Sequence, residues 1–296
     1  MRAIGRASGA ISVVNGLLGA GGCAAAVDLP VEVTVRLVRS APGEIPAHRF
    51  ATGADTPLTR AVLRGALFAY APLERYRADV EIRSEIPRAC GLKSSSAVSV
   101  ALLEAVARAR GLDPGAGELA DRAAVIARAT GQSATGAFDD AYAAARGGLV
   151  VSAPGTSEIR AEGEFDPDLV ALLWIPGGTH EPSPALARRF AGSEAAGRAA
   201  IARAIAGDYA AAMERNTDEV ERLLGYPYEP LRRRLRAAGA AAVGVSGLGP
   251  ALAVLADPRR EGPLAEILEE GPGRVRRVAL RRRGAPVPPV RLPEPP

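Results

Sequence analysis

The sequence predicts an α+β fold in two domains. Three observations carry this. A strand-like run, Val80-Glu81-Ile82-Arg83-Ser84-Glu85-Ile86, breaks at Pro87, turns through Gly91 and enters a strongly periodic helix over residues 96–110. A stretch rich in Pro, Gly and acid, residues 152–168, interrupts the pattern and is the expected boundary. Beyond it the order is strand, helices, strand, then strand, helix, strand, which suggests a small antiparallel sheet with helices on one face. The expected division is 1–155 and 156–283, with a proline-rich tail, 284–296, expected to be disordered.

Each element has its own warrant. Ala10-Ile11-Ser12-Val13-Val14 reads as a strand, followed by a glycine-rich turn. Residues 24–38 form a second extended run in which Val31, Val33, Val35 and Leu37 alternate with polar residues. Ala41-Pro42-Gly43 is a turn. Residues 56–70 are helical, with Thr56 as cap and Leu58, Val62 and Leu67 on one side. In the helix from Ser96, Val98, Leu102 and Val106 recur with small residues between them, which suits close packing on a sheet. Gly111-Leu112-Asp113-Pro114-Gly115 ends that helix, and a further one covers 118–128. A polar loop, 130–136, leads into Ala137-Phe138-Asp139-Asp140-Ala141-Tyr142, and Gly147-Gly148 precedes the strand Leu149-Val150-Val151. In the second half, 169–175, 241–245, 251–255 and 275–280 read as strands. Residues 183–191, 193–224 with a break near Gly207, 229–238 and 264–269 read as helices. No internal repeat is present.

At 296 residues, 48% hydrophobic and 24% charged, the chain can bury a sizeable core. A net charge of +4 suits an enzyme with anionic substrates as well as a weak nucleic-acid binder. Aromatics at 4% leave few platforms for stacking bases. Two cysteines, Cys23 and Cys90, make no disulfide framework, so a reducing cytoplasm is the expected compartment. With only His48 and His180 besides, no cluster has zinc-ligand spacing, and both histidines are expected to be structural. Trp174, in an apolar strand, is expected in the core. Arg2 and Arg6 before the uncharged residues 7–27 imitate a signal peptide. Asn15 and Gly9, Gly16, Gly19, Gly21 and Gly22 dilute that run, and no continuous apolar segment spans a membrane.

The chemistry concentrates in Pro87-Arg88-Ala89-Cys90-Gly91-Leu92-Lys93-Ser94-Ser95-Ser96-Ala97. A strand that turns through glycine into a helix behind small hydroxyl residues forms a concave ring of backbone N–H groups. Together with the helix dipole, that ring favours phosphate. Lys93 is the only lysine of the chain, a compact ammonium kept where a phosphate would sit. Helix capping alone would need one serine, not three and a lysine. The Asp139-Asp140 pair reads either as a catalytic carboxylate or as a solvated acidic helix start favoured by the dipole.

The loop is not a Walker A motif, because Leu92 rather than Gly precedes Lys93. It resembles instead the ATP-binding signature of the GHMP kinases, the superfamily of galactokinase, homoserine kinase and mevalonate kinase. Ala7-Ser8-Gly9-Ala10-Ile11-Ser12-Val13-Val14-Asn15-Gly16 is similar to that family's first motif. Val245-Ser246-Gly247-Leu248-Gly249-Pro250-Ala251 is similar to its third, a glycine turn near the nucleotide phosphates. The combination of Gly91-Leu92-Lys93-Ser94-Ser95-Ser96-Ala97 with residues 135–141 most resembles the archaeal type of shikimate kinase. The resemblance covers nearly the whole chain to about residue 283.

This resemblance implies an N-terminal α/β domain with a left-handed βαβ crossover and a ferredoxin-like C-terminal domain. It also implies ATP- and Mg²⁺-dependent phosphorylation of the shikimate 3-hydroxyl, with no nucleic-acid or membrane partner. Residues 87–97 would hold the nucleotide, with Ser246, Gly247 and Gly249 close to its phosphates. Ser95 matches the family's Mg²⁺-binding serine, and Ser96 is the alternative. In the mevalonate and galactokinase branches the catalytic aspartate precedes a glycine by seven residues. Asp140 has that spacing to Gly147, leaving Asp139 as a supporting or metal-side partner. Asn15 is the expected substrate or nucleotide contact, whereas Asn216 is expected at the surface. Two departures stand out. Ala129 occupies the place of a second Mg²⁺ ligand, a Glu in several relatives. Ala10 occupies that of a first-motif lysine, with Arg6 the nearest cation. Shikimate's carboxylate calls for an arginine, and too many compete for a choice. Kinases of the homoserine or mevalonate type are the alternative substrate class. An RNA-binding or scaffold protein is the alternative of a different kind.

Overall fold

The computed structural model describes residues 1–41, 43–177 and 184–291. The chain opens with two long strands, β1 (Arg2–Val14) and β2 (Gly22–Arg39), and then β3 (Arg49–Phe50), α1 (Pro57–Tyr70), β4 (Tyr76–Ser84) and α2 (Ser94–Ala109). Two helices, α3 (Ala116–Ala129) and α4 (Phe138–Arg146), precede β5 (Leu149–Ser152) and β6 (Ile159–Gly163). The second half runs β7 (Val170–Ile175), α5 (Pro184–Arg188), α6 (Glu194–Ile205), α7 (Tyr209–Leu224), α8 (Glu229–Ala237), β8 (Ala242–Val245), β9 (Leu252–Ala256), α9 (Glu261–Glu269) and β10 (Arg274–Ala279).

The first sheet has the order β3-β4-β2-β5-β6, with β1 also on β2. The 18 residues of β2 let it serve two partners: Gly22 to Ala25 pair with β5, and Val31 to Arg39 with β4. Among the described residues only β3 and β4 pair in parallel, and α1 is their crossover. Thr56 caps α1 through a reciprocal bond with Thr59, the cap role expected of it. The central α2 is apolar nearly all round, and it is buried between the sheet and its neighbouring helices. Its small residues bring it close: a Cβ at Gly5 of β1 would run into the backbone of Ala101 and Ala105.

The second sheet has the order β10-β7-β9-β8, antiparallel throughout. Numbered within the sheet this is 4-1-3-2, the ferredoxin-like order that the family resemblance implied; the alternation of elements suggested its antiparallel character. Trp174 is buried edge-on against Tyr228. Helices α6 and α7 also pack on β1, so the two sheets share one continuous core.

Three expectations are corrected. The central helix begins at Ser94, two residues early, because Lys93 in the left-handed region already closes the loop (φ 64°). The supposed linker contains β6, which pairs with β5, so the first sheet extends to Gly163 rather than ending near 155. Its polar alternation is that of an exposed edge strand, which resembles a loop in sequence. Residues 284–291 are not free: Gly284 N–H donates to Arg146 O, and Arg291 N–H donates to Glu85 Oε1, both at 2.7 Å. His180 and the end of the tail lie outside the described residues.

Candidate active site

A cleft of about 630 Å³ opens between the start of α2, the start of α4, the end of β1 and the turn after β8. All three motifs reach it. From the loop, Pro87, Ala89, Gly91, Leu92, Lys93, Ser94, Ser95 and Ser96 line it. Arg88 is exposed outside it, Cys90 turns its thiol to Pro87 O, and Ala97 is buried beneath. The first turn of α2 carries no side-chain cap despite its three serines, in contrast to α1. Its leading N–H groups are therefore left for an acceptor from outside the helix. Among the described residues, Ala89, Lys93 and Ala137 are the only non-glycines with positive φ, and all three line this cleft. Such backbone costs on the order of 1–3 kcal/mol each and gathers where function needs a particular geometry.

One hydroxyl fastens the three motifs together. Ser246 Oγ accepts from Ser12 N–H at 3.1 Å and donates to Gly91 O at 2.8 Å. The approach is so close that a Cβ at Gly91, where φ is +89°, would collide with Ser246 O. Ser246 is thus a buried tie, while Gly247 and Gly249 line the cleft. Asn15 lines the cleft too, and its amide braces the wall. Its Oδ1 accepts from Leu17 N–H and its Nδ2 donates to Gly247 O, which leaves one Nδ2 N–H unassigned. Asn216, expected at the surface, is fully buried and accepts from Asn15 N–H at 2.7 Å. Its helix shows why: Met213, Asn216, Thr217 and Val220 share one buried face at i, i+3, i+4, i+7 spacing.

The two aspartates stand in the first turn of α4 and are 7% and 9% exposed, which rules out the solvated acidic start. They face differently. Asp140 Oδ1 lies 3.1 Å from Lys93 Nζ, each side chain about one-eighth exposed. Asp139 fits against β2 where Gly22 has no side chain, and a Cβ there would strike its carboxylate. Burial pushes the Asp139 carboxyl up to about 7, and the neighbouring Asp140 adds to the rise, while Lys93 opposes it. Arg6 is not the cation of the site: its Nε is bonded to Glu32 at 2.5 Å. His48 accepts from Ala78 N–H, a structural role.

Several lining residues were not singled out from sequence. Ser12 lay within a quoted motif. Thr135 opened the stretch that carried the resemblance, and Leu58 was read as helix core; Arg128 and Arg188 carried no local mark, being ordinary residues brought in by tertiary packing. Arg128 and Arg188 are the two arginines on the cleft wall. Ala129 ends α3 and offers no carboxylate, and the described residues contain no cluster of three metal-ligating side chains. The hard-oxygen donors present are Asp139, Asp140 and the serine hydroxyls. They suit a Mg²⁺ that takes its remaining ligands from phosphates and water, not an all-protein cage. No helix among the described residues is long and apolar enough to cross a membrane.

Comparison with known proteins agrees with this geometry. Residues 58–148 match the GHMP kinases N terminal domain. The chain is 33% identical to shikimate kinase of Pyrococcus furiosus over 260 residues, 87% of this chain and 92% of that one. It is 31% identical to shikimate kinase of Halobacterium salinarum over 292 residues, 96% of this chain and 98% of that one. Among solved structures, Methanococcus jannaschii mevalonate kinase superposes with a TM-score of 0.75 at 13% identity, covering 95% and 98% of the two chains. A putative homoserine kinase from Listeria monocytogenes gives 0.65 at 22% identity, covering 96% and 98%. The chain belongs to the GHMP kinase family, in the branch that holds the archaeal shikimate kinases.

Proposed function

We propose that this protein is a shikimate kinase, transferring the γ-phosphoryl group of ATP to the 3-hydroxyl of shikimate. The observation that carries the reading is one cleft holding both an uncapped helix start for phosphates and a buried carboxylate, Asp140, beside the family's loop. Full-length similarity to several shikimate kinases supports the acceptor.

In this reading the N–H groups at the start of α2 hold the nucleotide phosphates, and Gly247 and Gly249 close over them. Ser95, with Ser96 as the alternative, and the Asp139 side of the site would hold Mg²⁺. The ion supplies charge neutralisation on the phosphates when bound. Asp140 orients the acceptor hydroxyl and takes its proton as the new P–O bond forms. Both line the cleft, and Asp140 is preferred because it is the one paired with Lys93, whereas Asp139 is packed against Gly22. The acceptor's carboxylate calls for a guanidinium, and Arg128 and Arg188 are the candidates on the wall. The test is ADP release from Mg-ATP with shikimate, homoserine and mevalonate offered separately. Turnover with shikimate alone is expected, and turnover with none of them would sink the kinase reading.

A further inference from the structure

Transfer requires the γ-phosphoryl to cross from the loop to the hydroxyl that Asp140 holds. One side chain belongs to both ends of that path. Lys93 is part of the phosphate loop by sequence and of the Asp140 site by contact, with 3.1 Å between Nζ and Oδ1. Its ammonium also lies against the third glycine turn: a Cβ on Gly247 would sit 3.1 Å from it. Among the described residues Asp140 is its one ion-pair partner, and Asp140 Oδ1 itself is buried without a hydrogen-bond donor, so both groups keep hydrogen-bonding capacity for a ligand. The backbone at Lys93 is left-handed, a conformation that costs a side-chain-bearing residue on the order of 1–2 kcal/mol. Here it is adopted by the only lysine of the chain, whose side chain is about one-eighth exposed.

We propose that Lys93 is a catalytic residue that holds the γ-phosphoryl and acts most strongly on it in flight, rather than an anchor of the ADP part of the nucleotide. Docked on Asp140, its ammonium donates to the equatorial oxygens of the transferring group. The deepened reading rests on the kinase assignment above. As the bond from γ-phosphorus to the bridging oxygen of ADP breaks, the acceptor oxygen bonds to phosphorus. The acceptor's proton passes to Asp140, and Lys93 keeps its own proton throughout. ADP leaves with the electron pair of the broken bond. The ammonium is fixed in place before the reaction, so no reorganisation is needed as charge moves on to the equatorial oxygens. The same contact keeps Asp140 from repelling the incoming anionic phosphoryl, because the pair as a whole is neutral.

The test uses Lys93→Met and Lys93→Arg, with folding checked by circular dichroism. Mg-ADP and a non-hydrolysable Mg-ATP analogue are titrated calorimetrically, and kcat is measured with shikimate. For Lys93→Met, kcat should fall about 100- to 1000-fold, as on losing one preorganised donor. The analogue should lose about tenfold in affinity, roughly 1.4 kcal/mol, while Mg-ADP, which lacks the γ-phosphoryl, should bind within about threefold of the wild type. Lys93→Arg keeps the charge but replaces a point donor with a planar fork. It should show a smaller loss of kcat with Mg-ADP unaffected, and it decides the matter if the methionine variant fails to fold. A parallel loss of Mg-ADP affinity and kcat would make Lys93 a ground-state anchor and overturn the proposal, as would a kcat near the wild-type value. If the wild type does not use shikimate, the acceptor assignment fails, yet the ADP-against-analogue comparison still decides what Lys93 touches.

Discussion

Replacing Ser246 by alanine removes one oxygen atom and strands two buried partners. Ser12 N–H loses its acceptor, and Gly91 O loses its donor. Ser246 is wholly buried, so water cannot take over without rearrangement. Each unsatisfied group costs about 1–3 kcal/mol, so Ser246→Ala should destabilise by about 2–4 kcal/mol, allowing for partial relaxation. Urea unfolding should show this as a lower midpoint with an unchanged slope. The control is Ser99→Ala, whose hydroxyl bonds back to Ser95 O within its own helix at 2.9 Å. That loss should cost well under about 1 kcal/mol, because such back-bonding adds little to a helix. The functional arm is Mg-ADP affinity, which should weaken as the loop loses its tether. A Ser246→Ala variant no less stable than Ser99→Ala would refute the idea that this hydroxyl holds the three motifs in register.

Asp140→Asn should cost about 10²- to 10⁴-fold in kcat while leaving Mg-ADP affinity within about threefold. If Asp139→Asn is the inactive variant instead, the assignment of the base is reversed. Asp139 also predicts a pH effect on stability. Burial holds its folded-state carboxyl above the ordinary value of 3.8, so in that range the native state binds more protons at this site. The contribution of Asp139 to stability should therefore decline as pH rises from about 4 towards neutrality. Asp139→Asn should remove that decline, and parallel pH profiles for the two proteins would contradict it. Gly22→Ala pushes a Cβ into the Asp139 carboxylate. It should cost about 1–3 kcal/mol as an overpacked core position and lower kcat as well, which thermal unfolding and steady-state rates would read together.

The phosphate loop, the helix behind it and the antiparallel second sheet were legible because each is written locally, in glycines, periodicity and turn residues; the ferredoxin-like strand order came only with the family resemblance. The fastening of the site was not. Ser246, Asn15 and Asn216 are polar residues in motifs or helices, and nothing local says whether their hydrogen bonds go to a ligand or to the backbone. Asn216 could have been found from the apolar stripe it interrupts, between Met213 and Val220. The Lys93–Asp140 pair joins residues 47 apart in sequence and had no local trace. The cap preference of serine misled the helix start, since the strained backbone of Lys93 does the work of a cap without any side-chain bond. The strand β6 was hidden by its polar edge character.

The seam formed by Ser12, Gly91, Ser246, Asn15 and Asn216 has a consequence for how ligands enter. It staples the end of β1 to α7 and to the turn after β8, so it joins the two sheets along the phosphate wall. Prising the halves apart like a clam would break several buried hydrogen bonds at once. The opposite rim, residues 131–136 with Arg188, is mostly solvent-facing and carries no comparable cross-links among the described residues. Traffic in and out of the cleft therefore belongs to that rim. Variants there should alter association and release rates while the phosphate wall stays still.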